Sequence, residues 1–304
     1  MPSYKFYQLD VFTSRPLSGN ALAVFPEPAG LTPEQMQGLA QEMNLSETTF
    51  VFDSEAATRR VRFFTPTAEI PLAGHPTVGT WWLLAELGRL DLPRDGALKI
   101  TQETGAGVLP VTIHTRGGSP ERIVMVQAQP EFGARVEDTG RLARALGGAE
   151  TLVESGPAPQ VVSTGLPQLM VPCESLEALR ALPSGGAGSE LVGLLRDLGT
   201  DCAMLYSLET ESPEATVHCR MFAPHFGIPE DPASGAAFGS LAAYLVKHRL
   251  VRAGRHLAML GEQGLEMGRP SRLFVDADIE NGRAVNIHVG GQCVLVGRGT
   301  IQLP

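Results

Sequence analysis

Lysine, cysteine and long apolar runs are scarce in this chain, and each scarcity removes a class of function. Only three of the 304 residues are lysine (Lys5, Lys99 and Lys247), and 24 basic side chains stand against 33 acidic ones, for a net charge of −9. No basic cluster offers a track to a phosphate backbone or an acidic lipid surface, so nucleic acid and membrane are poor partners. No stretch approaches the roughly 18 consecutive apolar residues of a membrane-spanning helix. Residues 1–5 do not begin a basic-then-apolar leader, and the expected location is the cytoplasm.

The four cysteines, Cys173, Cys202, Cys219 and Cys293, are far apart and form no CxxC pair. They are expected to be buried free thiols, with no disulfide framework. The seven histidines show neither HxxxH nor HxH spacing, so no metal site is expected. Glycine-rich turns such as Gly290-Gly291 lack the phosphate-cradle and dinucleotide patterns, so neither ATP nor NAD is indicated, and no cofactor is expected.

What is present is a chain that is 43% hydrophobic and reads approximately twice. Arg62, Phe64 and Pro66 recur 158 positions later as Arg220, Phe222 and Pro224. His75-Pro76-x-x-Gly79 recurs 156 positions later as Asp231-Pro232-x-x-Gly235, and each copy opens an apolar stretch. Two ordered matches imply a duplicated unit of domain size, hence two similar domains. Residues 76–88 carry one charge, Glu86, and residues 232–246 carry none, so neither stretch has the polar face of a surface helix. Both helices are expected to be buried on all sides, with Pro76 and Pro232 at their first positions and His75 and Asp231 as caps. Around them, strands are predicted over residues 4–12, 21–25, 48–52, 60–64, 107–114, 122–126, 202–207, 216–222, 273–277, 284–289 and 292–296. A surface helix over 33–43 follows a capping box of Thr32 and Gln35. Residues 127–160 read as connectors with one more helix, and the turn-rich 116–120 suggests a domain boundary. The fold class is α+β: two barrel-like sets of strands, each around a buried helix, with a cleft between. Helix starts bind anions, so a small anionic organic substrate is the expected partner.

Several segments together carry a resemblance: Asp10-Val11-Phe12-Thr13 with Ser18-Gly19-Asn20, Asn44-Leu45-Ser46-Glu47-Thr48-Thr49-Phe50, Gly74-His75-Pro76-Thr77, and Asp231-Pro232-Ala233-Ser234-Gly235. In this order, along essentially the whole chain, they resemble the signature of the PhzF (phenazine biosynthesis) family. Gly264 with Met267-Gly268-Arg269-Pro270-Ser271 resembles a further family segment. The resemblance implies the diaminopimelate epimerase fold, two pseudo-symmetric domains with the site between them. It also implies a final strand that returns to the first domain, giving domains 1–117 plus about 290–304, and 118–289. It places catalysis on Glu47, His75 and Asp231, and substrate binding on Ser18, Gly19, Asn20, Gly74, Ser234, Gly235 and Ala236. The implied activity is a cofactor-independent isomerisation of a small carboxylate-bearing metabolite by carbon-to-carbon proton transfer, in a homodimer. No cysteine lies in the His75 or Asp231 motif, which argues against the two-thiol mechanism of the related epimerases. Ala236 stands where characterised members commonly carry serine, and Ser234 where they carry threonine.

From position alone Glu47 would be a solvated residue between a helix end and a strand. The resemblance makes it the acid and base instead, a role a partly buried carboxyl suits because burial raises its pKa. A lyase or hydratase using the same base, and a binding protein that kept the cleft without turnover, remain alternatives at this point.

Overall fold

The computed structural model describes residues 1–148, 156–226 and 228–303. Along the chain come β1 (Ser3–Val11), β2 (Asn20–Phe25), α1 (Pro33–Met43), β3 (Glu47–Phe52), β4 (Arg59–Phe64), β5 (Glu69–Ile70) and α2 (Gly74–Glu86). They are followed by β6 (Gly96–Thr104), β7 (Gly107–Arg116) and β8 (Ser119–Val126). Next are β9 (Glu131–Arg135), α3 (Thr139–Ala145), β10 (Gln160–Ser163), β11 (Pro167–Pro172), α4 (Leu176–Ala181), α5 (Ser189–Asp197), β12 (Ala203–Ser207) and β13 (Val217–Ala223). The chain ends with β14 (Ile228–Asp231), α6 (Gly235–Lys247), β15 (His256–Gln263), β16 (Ser271–Glu280), β17 (Arg283–Gly291) and β18 (Cys293–Gln302). This is an α+β protein made mostly of strands. It divides into two compact units: unit 1 is Met1–Met125 with Gly290–Pro304, and unit 2 is Val126–Val289. The turn at 116–120 joins β7 and β8 and lies inside unit 1, so the division falls a few residues later.

The units repeat one topology. In unit 1, β2 runs parallel to β3, β3 antiparallel to β4, β4 parallel to β6, and β6 antiparallel to β7. In unit 2, β11, β12, β13, β15 and β16 repeat that sequence of parallel and antiparallel neighbours. The pairing of β1 with β18 recurs as β10 with β9.

Each unit is organised by its apolar helix. In α2 every residue from His75 to Ala85 is buried, against β1, β2, β3 and β18. In α6 Gly235 and every residue from Ala237 to Val246 are buried, against β10, β11, β12 and β16. A helix surrounded this closely needs small residues where strands approach. A Cβ on Gly79 would stand 2.5 Å from Leu22 Cδ2 and 2.7 Å from Val11 Cγ2, so glycine lets α2 lie against β1 and β2. Beneath α1, Phe25 stacks on Phe50 at 4.9 Å and Phe50 meets Phe64 edge-on at 5.3 Å.

Both helices begin elsewhere than their proline patterns suggest. Helix α2 starts at Gly74 with Ala73 as N-cap, which puts His75 inside the first turn. Helix α6 starts at Gly235 with Ser234 as N-cap, and Asp231 ends β14 instead of capping. At α6 the Asp231 carboxylate and the Ser234 hydroxyl bond each other, and the Ser234 side chain makes no cap bond into the helix. The capping box of α1 forms: Thr32 Oγ1 accepts from Gln35 N at 3.2 Å, and Thr32 N donates to Gln35 Oε1 at 3.0 Å. The segment 127–160 contains β9 and α3, and its residues 149–155 lie outside the described residues. All four cysteines are free and buried.

Candidate active site

The chemistry of unit 1 is assembled where β2 and β3 run side by side. Helix α1 stops at Asn44, whose left-handed backbone (φ 49°) turns the chain, and β3 begins three residues later with Glu47 opposite Leu22 of β2. Ser46 Oγ donates to Asn20 Oδ1 at 3.1 Å, which ties this turn to the start of β2. The Ser18-Gly19-Asn20 motif thus reaches the Glu47 motif through a buried asparagine. Asp10, also buried, accepts from Leu17 N at 2.7 Å and shapes the loop that carries Ser18 and Gly19.

Facing this turn is the first turn of α2. Thr49 Oγ1 and Thr80 Oγ1 lie 2.8 Å apart, and Gln102 of β6 also bonds the helix. The Gln102 amide accepts from Trp81 Nε1 at 2.9 Å and donates to Thr77 Oγ1 at 3.2 Å. So clamped, α2 brings His75 Nε2 to 3.3 Å from Glu47 Oε2. The approach is close enough for an ion pair but not aligned as a hydrogen bond. The His75 side chain is 7% exposed and that of Glu47 15%. Burial lifts the Glu47 carboxyl from its ordinary value of 4.5 to about 7, against a smaller opposing pull from the Ser46 hydroxyl. A carboxyl with this value is present in both protonation states near neutral pH.

In unit 2 the matching turn, Asp231-Pro232-Ala233-Ser234, leads into α6. Ser234 Oγ donates to Asp231 Oδ2 in a short contact. Gln263, at the end of β15, donates from Nε2 to Asp231 O and accepts from Ser234 N. Asp231, Ser234 and Ala236 are half-buried, and Gly235 is buried. Neither Ala73 nor Ser234 bonds through its side chain into the helix it precedes, so the first-turn N–H groups of α2 and α6 have no such cap. Gly74 is the first residue of α2. Among the described residues no three His, Cys, Asp or Glu side chains gather as metal ligands.

The structure thus brings Glu47 to His75, Asn20 to Ser46, and Asp231 to Ser234. Two participants were not singled out from sequence, Ser46 and Gln263. Ser46 lies inside a quoted motif and was available to be read. Gln263 is the second of two adjacent polar side chains at the end of β15, and only the fold gives it a target.

The chain and its fold have counterparts among known proteins. A profile of the family described as phenazine biosynthesis-like protein, PhzC-PhzF, matches residues 9–299. The trans-2,3-dihydro-3-hydroxyanthranilate isomerase of Pseudomonas fluorescens is 34% identical over 307 residues, spanning 99% of this chain and 100% of its own. The crystal structure of the Bacillus anthracis phenazine biosynthesis protein of the PhzF family superposes with a TM-score of 0.91 at 29% identity, over 100% of both chains. A hydroxyproline epimerase from Agrobacterium vitis, with bound trans-4-hydroxy-L-proline, shares the fold at 14% identity and a TM-score of 0.66, over 99% of this chain and 91% of its own. The chain belongs to the phenazine biosynthesis-like (PhzC-PhzF) family and is a PhzF-like isomerase.

Proposed function

We propose that this isomerase moves a proton between two carbons of a small carboxylate-bearing substrate through the single carboxyl of Glu47, without metal or organic cofactor. The observation that carries the reading is the Glu47–His75 pair: a carboxyl raised to about 7 by burial, 3.3 Å from an imidazole nitrogen in the first turn of a buried helix. As a base, Glu47 removes a carbon-bound proton; as the resulting acid, it returns that proton to another carbon of the same substrate. His75 Nε2 can face either form, donating to the carboxylate or accepting from the acid, so the pair tolerates the change of state. First-turn N–H groups without a side-chain cap suit a substrate carboxylate. Asp231 and Ser234 are assigned substrate orientation. Ala236 supplies no hydroxyl, so any hydrogen bond it makes is through its backbone.

A first substrate to try is trans-2,3-dihydro-3-hydroxyanthranilate, followed by other cyclic dienoic acids and by amino and hydroxy acids. Incubation in deuterated buffer with NMR detection reads carbon-bound exchange and isomerisation together. Wild type is expected to convert at least one of these acids, Glu47→Gln to bind it without turnover, and a chelator to change nothing. Equal exchange by wild type and Glu47→Gln would remove Glu47 from the mechanism. Loss of a substituent from the product would make the reaction an elimination.

A further inference from the structure

We infer that Gln263 is the positioning residue that sets the Asp231 carboxylate and Ser234 for the reaction, an inference that rests on the orienting role proposed for Asp231. Gln263 is fully buried, and its amide spans both ends of one tight turn. Nε2 donates to Asp231 O at 2.7 Å and lies 3.3 Å from Ser234 Oγ, while Oε1 accepts from Ser234 N at 3.3 Å. Because Ser234 Oγ in turn donates to Asp231 Oδ2, a displacement at either end of the turn reaches the carboxylate.

The amide is itself held by a rigid frame. Gln263 pairs with Cys219 of β13 on one side and with Ser271 of β16 on the other. Ser271 Oγ lies 2.8 Å from Pro232 O and 3.0 Å from Arg269 O, with its one proton within reach of either, so β16 as well as β15 meets the turn. Gly264 follows at φ 77°, where a Cβ would stand 2.6 Å from both Pro232 O and Arg269 O; the 264–271 segment lies directly on the turn. Immediately before Gln263, Glu262 Oε1 meets His218 Nδ1 at 2.8 Å.

The fold alone does not require an amide here. Val217 of β13 faces Gly261, and at the matching register of unit 1 Arg59 of β4 faces Gln102. Two residues further along, Gln263 corresponds to Thr104, whose hydroxyl donates to Gly107 O in its own hairpin. Glutamine stands in the unit whose turn carries the aspartate.

The test uses Gln263→Met, which removes both polar arms at nearly constant volume, on full-length protein labelled with ¹³Cγ-aspartate. The Asp231 signal is assigned by its loss in Asp231→Asn. In Gln263→Met that signal is expected to shift, while that of Asp278, on the exposed part of β16, stays in place. With trans-2,3-dihydro-3-hydroxyanthranilate as the probe, kcat/KM is expected to fall about 10²-fold, the cost of a misplaced group. In the Asp231→Asn background the same change is expected to cost little more, because the residue acts through Asp231. An unmoved Asp231 signal overturns the inference, and so does an equal loss in both backgrounds, which would mark a purely structural role. Wild-type turnover by Asp231→Asn would instead overturn the role of Asp231, while the NMR signal still decides what Gln263 holds. Should Gln263→Met not fold, Gln263→Glu keeps the shape and the acceptor toward Ser234 N but removes the donor toward Asp231 O, and is read in the same way.

Discussion

In unit 1, Arg62 on β4 is gripped by Glu69 of β5, with both nitrogen–oxygen distances at 2.7 Å; in unit 2, Arg220 on β13 is gripped by Glu230 of β14 at 2.8 and 2.7 Å. The geometry is the same and the surroundings are not. The unit 1 pair has side chains 19% and 43% exposed, while both partners of the unit 2 pair are 3% exposed. A neighbouring pair repeats the contrast: Arg60 and Glu103 lie 3.8 Å apart at the surface, whereas His218 and Glu262, at the corresponding registers, meet at 2.8 Å in the interior. The cover comes from an insertion. Unit 1 joins β2 to β3 through α1, but unit 2 joins β11 to β12 through α4 and α5, and the carbonyls of Leu179 and Leu182 accept from Arg220 Nη1. Duplication placed the charges; the added helix changed the dielectric around one copy and hence what each pair contributes.

The same registers locate the chemical difference between the units. Phe50 faces Arg62 and Leu205 faces Arg220, so three residues earlier Glu47 corresponds to Cys202. Burial, with the Asp201 and Asp231 charges adding to it, pushes the Cys202 thiol up to about 12. At that position unit 2 holds a group that keeps its proton at neutral pH, and unit 1 holds one that exchanges it.

The largest expected effect is on turnover. Glu47→Gln should lower kcat by about 10²–10⁴, the usual contribution of general acid–base catalysis, whereas Cys202→Ala should leave the proton-transfer step intact. Exchange of carbon-bound hydrogen in deuterated buffer measures both, and a comparable loss in Cys202→Ala would restore a two-group mechanism. Next come the ion pairs. Glu230→Gln, which leaves Arg220 charged in the interior, should cost about 3–5 kcal/mol of stability, and Glu69→Gln about 1 kcal/mol or less. Denaturant unfolding of the two variants tests whether burial, not geometry, sets the difference. Helix burial should bring the units back together: Leu84→Ala in α2 and Leu245→Ala in α6, both essentially inaccessible, should each cost about 2–5 kcal/mol by the same measurement.

The pH dependences are smaller and run through different groups. Glu47 has a folded pKa above its unfolded value, so the folded state binds the extra proton and stability falls as pH rises from about 4.5 to about 7. Glu47→Gln should therefore gain stability relative to wild type above pH 7 while losing turnover. His218 lies between Glu262 and Glu266; their hydrogen bonds and charges raise its pKa even though desolvation, the largest single influence, opposes them. Its contribution is present at acid pH and lost as pH rises through the raised value. The melting temperature of His218→Gln against wild type should accordingly differ most on the acid side.

Much of this fold was legible because its signals are local. The two charge-poor helices, the repeated Arg-x-Phe blocks and the Thr32–Gln35 box are patterns within a few turns of chain; the box forms as read, the blocks lie on β4 and β13, and the helices are buried as read but start at Gly74 and Gly235. Strand β6 was not foreseen, because the alternation of Leu98 and Ile100 is interrupted at the inward position by Gln102. That residue is polar because Trp81 and Thr77 are its partners. Strand β15 was missed for the same kind of reason, since Glu262 and Gln263 are buried polar residues in an otherwise apolar strand. Helix α5 could have been found: Leu191, Leu194 and Leu195 are buried at helical spacing.

The duplication, the buried helices and the residue types at the motifs depend only on composition and near-neighbour spacing, and so are written in the order of residues. Which charges are covered, the rise of the Glu47 pKa to about 7 beside His75, and the ending of the Gln263 amide on the Asp231–Ser234 turn come from the folded arrangement. Those properties arise from desolvation and from contacts between residues about 30 positions apart, such as Glu47 with His75 and Asp231 with Gln263, and neither is encoded in the order of residues around any one of them.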